Sequence, residues 1–353
     1  MNSTDNTGAQ RLPLSALRAW EQLGYGLFIH FGMSTFDGVE CNAGTTPVSA
    51  YTPHELDVRS WVRTAREAGM RYAILTAKHT SGFCLWPSAE TDYHVGYSPV
   101  KNDVVAEFVS ACEAEGLVPG LYYCSWDNHH KFGSRDHNEL GWGNGYVTPA
   151  YEKFQNAQIR ELLQRHPNLG EFWIDIPTML DRGYKQELYA EIARLVPNTK
   201  ILMNSGLNIG MSIDPADSWP TDLFAIERIT PNGFGWNPWQ EVEGKKYYIP
   251  SETCETIGME WFFVEGDSAR SDEELAGLFY LTRCRNSNAL FDIGPDKRGQ
   301  VASWQRDALF RLRDKVIADA RKYHPNWEES PSIVADFVPK ISLRGSKSEG
   351  VAG

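Results

Sequence analysis

The sequence lacks the features that would place it outside the ordinary globular proteins. No apolar run approaches the ~18 residues of a membrane-spanning helix, so no membrane association is expected. The N-terminal segment has neither the basic nor the apolar region of a signal peptide, which predicts a cytoplasmic protein, or a secreted one if a leader has been removed. Basic residues are outnumbered, with 34 Lys and Arg against 46 Asp and Glu. The resulting net charge of −12 offers no basic face for nucleic acid.

Signature motifs of several enzyme classes are also missing. No GxGxxG or GxxxxGK[ST] loop is present, so nucleotide binding has no support, and the GxSxG nucleophile elbow is absent. The first strand-like run ends in His30, Phe31 and Gly32 rather than in the HxH pair of metal-dependent barrel hydrolases. The six cysteines contain no CxxC pair and are expected to be free thiols. We therefore expect neither a metal nor an organic cofactor.

Aromatic residues, by contrast, are plentiful. The chain contains 12 Trp, 15 Tyr and 16 Phe, together 12% of its residues. Such rings stack on the C–H faces of sugars, but they also fill ordinary hydrophobic cores. The composition alone therefore favours a carbohydrate ligand only weakly.

Short β-rich runs alternate with helical patterns along most of the chain. Eight such runs occur, at residues 25–32, 72–78, 119–125, 171–176, 200–206, 222–228, 247–252 and 289–294. Their apolar centres are typical of buried parallel strands, and eight β/α units predict a (β/α)8 TIM barrel of the α/β class. Residues 229–246 resemble a loop, so irregularity is expected around strand 6. A doubly wound sheet is the alternative. The predicted organisation is a flexible tail at 1–15, a catalytic barrel at 16–330 and a short extension at 331–353.

Polar side chains collect at the ends of these predicted strands, where a TIM barrel carries its active site. The residues concerned are His30, Lys78, His79, Trp126, Asp127, Trp173, Asp175, Asn204, Glu227, Arg228 and Glu252. Polar groups on buried strands are costly unless they are paired, so their accumulation at one end predicts a site. Three carboxylates among histidines and aromatic rings suggest glycoside hydrolysis, because that reaction requires one ionised and one protonated carboxyl group.

Six segments, in order, resemble motifs of the α-L-fucosidases of glycoside hydrolase family 29. They are GLFIHFGMSTF, LTAKHTSGFCLW, GLYYCSWD, EFWIDI, YYIPSETCETIGMEWFF and ALFDIGPDKRGQV. The resemblance covers roughly residues 18–300. It implies a retaining mechanism, with Asp175 as the nucleophile. It places the acid/base after strand 6, where Glu227 fits best and Glu252 is the competitor. The implied sugar-binding residues are His30, Glu40, His79, Tyr122, Trp173 and Glu252.

The sequence departs from the family pattern at several positions. Cys41 replaces a Trp, Thr80 and Ser81 replace a His and an Asp, and Ile176 replaces the Gly after the nucleophile. These departures leave the proposed catalytic pair unchanged but bear on the outer pocket. The usual C-terminal β-sandwich is largely missing, which implies an open rim or help from a neighbouring subunit, so a homo-oligomer is left open.

The sequence therefore predicts an exo-acting, retaining α-L-fucosidase that releases terminal L-fucose from glycans or glycoconjugates. Two alternatives remain at this stage. One is a catalytically silent barrel that binds fucose or another sugar, which the substitutions at Thr80, Ser81 and Ile176 keep open. The other is a retaining exo-glycosidase for a related sugar such as L-galactose.

Overall fold

The computed structural model describes residues 8–130, 148–177, 180–204, 218–323 and 333–338. Within these ranges, eight parallel strands form one sheet, and two further strands form a separate hairpin. In chain order the strands are β1 (Tyr25–Ile29), β2 (Tyr72–Lys78), β3 (Val118–Cys124), β4 (Glu171–Asp175), β5 (Lys200–Asn204), β6 (Phe224–Glu227), β7 (Trp239–Val242), β8 (Lys245–Tyr248), β9 (Ser251–Thr256) and β10 (Ser287–Ile293).

The parallel sheet closes into a barrel. Its strands are hydrogen-bonded in the order β5-β4-β3-β2-β1-β10-β9-β6, and a parallel bridge between Leu202 and Leu223 connects β5 to the segment entering β6. Strands β1, β2 and β10 are buried along their whole length, as expected of strands covered on both faces. The predicted (β/α)8 barrel is confirmed, and the doubly wound alternative is wrong.

Helices surround the barrel and alternate with its strands. They are α1 (Leu14–Glu21), α2 (Met33–Asp37), α3 (Val58–Glu67), α4 (Val104–Glu115), α5 (Pro149–Arg165), α6 (Arg182–Leu195), α7 (Asp272–Cys284), α8 (Ser303–Tyr323) and α9 (Ile333–Asp336). Side chains of Asp57, Asp103 and Ser271 accept hydrogen bonds from backbone N–H groups in the first turns of α3, α4 and α7. Each bond satisfies an N–H that has no partner within its helix.

The sixth β/α unit is irregular, as expected, but it is not a loop. Strands β7 and β8 pair antiparallel in place of the usual helix. The turn between them contains Glu243 at φ 53° and Gly244 at φ 73°. Two successive left-handed residues give the tight turn whose twist matches that of the flanking strands.

The seventh barrel strand lies further along the chain than predicted. The run at residues 247–252 is divided, because β8 ends at Tyr248 and the barrel strand β9 begins at Ser251. Pro250 stands at the boundary and has no N–H for a strand ladder. Glu252 is therefore the second residue of its barrel strand instead of the last, and it lies toward the N-terminal end of the barrel.

The N-terminal segment packs against the barrel from residue 8 onward. Arg11 pairs with Asp222 at 2.5 Å, and Leu12 and Leu14 are buried. Residues 1–7 of the predicted tail, and most of the predicted C-terminal extension, lie outside the described residues, so the predicted division of the chain stays a prediction. In the part of the chain that the structure describes, no helix is long and apolar enough to cross a membrane.

Candidate active site

A cavity opens at the C-terminal ends of the barrel strands. Its lining consists of Phe28, His30, Glu40, His79, Tyr122, Trp173, Asp175, Asn204, Glu227, Cys254 and Trp261. Seven of the eight predicted site residues belong to this lining, and Glu252 does not. The barrel thus brings together side chains that lie more than two hundred residues apart in sequence, at the position where TIM barrels carry their chemistry.

Asp175 lies at the last position of β4, and both of its carboxylate oxygens are hydrogen-bonded. The Tyr122 hydroxyl donates to Oδ2 at 2.5 Å, and the Asn204 amide donates to Oδ1 at 2.8 Å. Burial raises the pKa of Asp175 above its ordinary value, while these two bonds and the backbone N–H of Ile176 oppose the rise. The donors stabilise the ionised form and fix the direction of the carboxylate.

Glu227 ends β6 and shares a partner with Asp175. The amide nitrogen of Asn204 lies 2.8 Å from Asp175 Oδ1 and 3.2 Å from Glu227 Oε2. These two carboxylate oxygens are therefore no further apart than about 6 Å, which fits the ~5–5.5 Å of retaining glycosidases better than the ~6.5–9.5 Å of inverting ones. Burial, followed by the negative charge of Asp175, raises the pKa of Glu227 to about 7. Glu227 is thereby favoured as an acid, whereas the hydrogen-bond donors around Asp175 favour its ionised form.

The residue after each of these carboxylates has a left-handed backbone. Ile176 has φ 50° and Arg228 has φ 53°. This conformation costs an L-residue about 1–2 kcal/mol, and it is least tolerable for a β-branched side chain such as that of Ile176. Both strands therefore turn sharply just beyond their carboxylate. The sharp turn leaves Asp175 and Glu227 at the rim of the barrel.

Two neutral histidines form another wall of the cavity. His30 follows β1, and His79 follows β2; both are nearly fully buried. Burial lowers the pKa of His30 to about 3, and burial together with nearby His30 lowers the pKa of His79 well below its ordinary value. The His79 ring stacks on Tyr122, with centroids 5.5 Å apart. Nδ1 of His30 faces Asp292 at 2.6 Å and Nδ1 of His79 faces Thr80 at 3.3 Å, so one ring nitrogen of each imidazole remains for a sugar hydroxyl.

Glu40 adds a third carboxyl group to the cavity. Its backbone carbonyl accepts hydrogen bonds from Ser34 at 2.9 Å and from Thr80 at 3.3 Å, which hold the loop after β1 against the end of β2. Burial raises the pKa of Glu40 to about 7, and the positive charge of Arg228 opposes the rise. The substituted Thr80 thus takes part in holding this loop.

Glu252, predicted to bind the sugar or to compete as the acid/base, lies outside the cavity lining. Glu252 is fully buried, and its oxygens accept from the Trp173 indole at 2.8 Å and from the Tyr72 hydroxyl at 2.9 Å. The same indole donates to Glu171 at 2.6 Å. Burial raises the pKa of both carboxyl groups. The pair therefore favours a shared proton and supports Trp173 from below.

Two other polar residues at strand ends form a separate buried ion pair. Lys78 and Asp127 are fully buried, and their charged atoms lie 2.6 Å apart. Burial is the largest single influence and would raise the pKa of Asp127, but Lys78 and His130 together outweigh it and the pKa is lowered. Asp127 also accepts from the backbone N–H groups of His129 and His130. This pair anchors the loop after β3 and is not part of the cavity lining.

Four lining residues were not among the predicted site residues. Asn204 ends β5, and its amide bridges the carboxylates of Asp175 and Glu227. Its position at a strand end was the sequence feature that could have identified it as a site residue. Phe28, Cys254 and Trp261 also line the cavity. Nothing in the local pattern distinguishes these three from core residues. Among the described residues, no group of three His, Cys, Asp or Glu side chains is placed to hold a metal ion.

Comparison with known proteins identifies relatives of this barrel. Residues 46–314 match the alpha-L-fucosidase family. Alpha-L-fucosidase 1 of Arabidopsis thaliana is 30% identical over 349 residues, covering 96% of this chain and 65% of that protein. Alpha-L-fucosidase isoenzyme 1 from Paenibacillus thiaminolyticus has a similar structure, with a TM-score of 0.72 and 25% identity over 86% of this chain and 76% of that one.

A glycoside hydrolase 29 family member from an unknown rumen bacterium is similar as well, with a TM-score of 0.71 and 28% identity over 88% of this chain and 58% of that one. The chain thus spans 65% of the length of the Arabidopsis relative. The matched family region includes Asp175, Asn204 and Glu227 and most of the barrel. The chain belongs to the alpha-L-fucosidase family of glycoside hydrolases.

Proposed function

We propose that this protein is an exo-acting, retaining α-L-fucosidase, with Asp175 as the nucleophile and Glu227 as the acid/base. The observation that carries the proposal is the sharing of the Asn204 amide by the two carboxylates. The bound of about 6 Å that this places on one pair of their oxygens supports the closer spacing of a retaining pair over the ~6.5–9.5 Å of an inverting one.

In the first step, an Asp175 oxygen attacks the anomeric carbon of fucose, and the glycosidic C–O bond breaks. Glu227 is protonated near neutral pH, because its pKa is raised to about 7, and it gives its proton to the departing oxygen. Tyr122 and Asn204 fix the direction of the attacking carboxylate. The product of this step is a fucosyl ester of Asp175.

In the second step, Glu227 is ionised and removes a proton from water. The resulting hydroxide attacks the anomeric carbon from the side that the leaving group vacated, and the bond to Asp175 breaks. Two inversions give net retention, and Glu227 recovers its proton for the next cycle. The cycle consumes one water molecule and returns Asp175 and Glu227 to their starting protonation states.

The apolar part of the cavity supports fucose as the bound sugar. Its inner wall is formed by the buried side chains Phe28 and Trp173, whose rings lie 5.2 Å apart, with Trp261 beside Phe28 at 6.2 Å. Apolar walls favour the methyl group of fucose over the hydroxymethyl group of L-galactose, because that additional hydroxyl would lose its hydration. We therefore expect an L-galactoside to be the poorer substrate.

The test is hydrolysis of 4-nitrophenyl α-L-fucoside by the wild-type protein and by Asp175→Asn, with proton NMR of the first sugar released. We expect α-L-fucose as the first product and loss of turnover in the variant. First formation of the β-anomer would overturn the retaining mechanism. Absence of turnover, combined with stabilisation of the protein by L-fucose against heat, would favour a silent sugar-binding barrel instead.

A further inference from the structure

Asp292 forms a buried pair with His30 that none of the predicted roles explains. It lies on β10, beside β1 in the barrel, and its Oδ1 is 2.6 Å from His30 Nδ1. Both side chains are almost completely inaccessible to solvent, at 4% for His30 and 0% for Asp292. The backbone N–H of His30 also donates to the Ile293 carbonyl at 3.0 Å. Strand β10 therefore fixes both the backbone and the ring of His30.

The second carboxylate oxygen of Asp292 constrains the charge of this pair. Oδ2 is buried and has no hydrogen-bond partner among the described residues. An ionised carboxylate with an unpartnered oxygen in such a place is unfavourable. Burial accordingly raises the pKa of Asp292 well above its ordinary value and lowers that of His30 to about 3. A pair with no net charge is favoured over a pair with a charge of −1.

When the Asp292–His30 pair has no net charge, two protons are shared among the Asp292 carboxyl group and the two ring nitrogens of His30. Either Asp292 is protonated and donates to Nδ1, or the proton has moved to Nδ1 and leaves an aspartate beside an imidazolium. In both arrangements Nε2 carries the other proton. His30 Nε2 can lose its proton only when the Asp292–His30 pair carries a charge of −1. The single proton that remains then lies between Asp292 Oδ1 and His30 Nδ1.

We propose that Asp292 is a positioning residue that keeps a proton on His30 Nε2, so that His30 donates a hydrogen bond to a hydroxyl oxygen of the bound sugar. This inference rests on the proposed function for the identity of the sugar. The protonation state itself does not depend on it. Ionised carboxylate partners elsewhere in proteins accept from Nδ1–H and leave Nε2 without a proton, whereas a pair without net charge keeps the proton on Nε2.

Other ionisable groups act on this pair, and they remain when Asp292 is changed. Three lie toward the ends of strands: His79 after β2, Tyr122 in β3 and Asp175 at the end of β4. The other two are Glu40 in the loop after β1 and Arg228 directly after β6. A pH-dependent effect of His30 must therefore be read as the difference between the wild type and Asp292→Asn, since asparagine does not titrate.

The first experiment is nitrogen NMR of the histidine rings in the full chain, with His30 assigned through the loss of its signals in His30→Gln. We expect a directly bonded proton on His30 Nε2 at neutral pH. A neutral ring protonated on Nδ1 alone would overturn the proposal. This measurement needs no substrate and no turnover, so it stands even if the protein proves not to be a fucosidase.

The second experiment measures inhibition of aryl fucoside hydrolysis by L-fucose across pH, in the wild type, Asp292→Asn and the matched control Asp296→Asn. Asp296 follows the same strand but pairs with Arg298 at 2.8 Å. In the wild type and the control, loss of the His30 Nε2 proton at alkaline pH should remove one hydrogen bond to L-fucose. The inhibition constant should therefore rise by about fivefold, which corresponds to the contribution of one neutral hydrogen bond. Asp292→Asn should lack that rise. An unchanged profile in Asp292→Asn would contradict the proposal.

Discussion

Replacement of Glu227 by glutamine should affect substrates according to the quality of their leaving group. Glutamine keeps the shape of the side chain and can still accept from the Asn204 amide, which lies 3.2 Å from Glu227 Oε2. It cannot give a proton to the departing oxygen. General acid catalysis contributes about 10²–10⁴-fold in rate, so kcat/KM for methyl α-L-fucoside should fall by that order. For 4-nitrophenyl α-L-fucoside, whose leaving group needs little protonation, the fall in kcat/KM should be much smaller.

The pH profile gives an independent measure in the same experiment. The acid must be protonated to act, and its pKa is raised to about 7 by burial and by the charge of Asp175. The wild-type kcat/KM for the methyl fucoside should therefore decline above a pH of about 7, and this decline should be absent from the residual activity of Glu227→Gln.

Glu40→Gln is the control for that experiment, because Glu40 lies in the same cavity and its pKa is also raised to about 7. We expect Glu40→Gln to weaken both substrates by a similar factor. If Glu40→Gln lowers the methyl fucoside selectively while Glu227→Gln lowers both substrates alike, the reasoning is refuted and Glu40 is the acid.

Three other predictions concern stability and the buried carboxyl groups. Burial raises the pKa of Glu40, Glu171 and Glu227 to about 7 in the folded protein, whereas it lowers the pKa of His30 and His79, which opposes the carboxyl groups mainly below about pH 6. Between pH 6 and 7 the native state therefore binds more protons than the unfolded chain, so the melting temperature should fall as pH rises through that range; a rise there would contradict the raised carboxyl pKa values. Asp127→Asn leaves the charge of Lys78 buried without its partner and should lower the free energy of unfolding, measured in urea, by about 3–5 kcal/mol. A loss below about 1 kcal/mol would contradict the burial of this ion pair. Glu252→Gln should leave the ratio of kcat/KM between aryl and methyl fucosides unchanged, because its carboxyl group lies below the cavity; a selective loss on the methyl fucoside would restore Glu252 as the acid.

Much of the barrel could be predicted because its strands are continuous apolar runs. The run at residues 72–78 coincides with β2, and the side-chain caps at Asp57, Asp103 and Ser271 are signals of the same local kind. These signals are local, since a cap or a buried run is contained within a few residues of sequence. The same locality explains the prediction of Asp175 and Glu227, each the last residue of its strand.

Strand boundaries were predicted wrongly where one continuous run of sequence contains parts of two strands that pair with different neighbours. Residues 247–252 resemble one strand, yet Pro250 divides a hairpin strand from a barrel strand, and Glu252 consequently moves from the top of the barrel toward its base. The aromatic residues Phe28 and Trp261 could not be recognised as cavity residues, because core and cavity impose the same sequence pattern. The pair of His30 and Asp292 joins positions 262 residues apart and could be seen only once β1 and β10 were adjacent.

The measurement that tests the account most directly is chemical trapping of the covalent intermediate. A 2-deoxy-2-fluoro-L-fucosyl fluoride should react with the nucleophile and then be released slowly, because fluorine at C2 destabilises the cationic transition states and fluoride is a good leaving group. Peptide mapping by mass spectrometry should place one fluorofucosyl group on Asp175, with no label in Asp175→Asn. A label on Glu227 or Glu40, or a wild-type protein that hydrolyses aryl fucosides without ever being labelled, would contradict the assignment of Asp175 as the nucleophile.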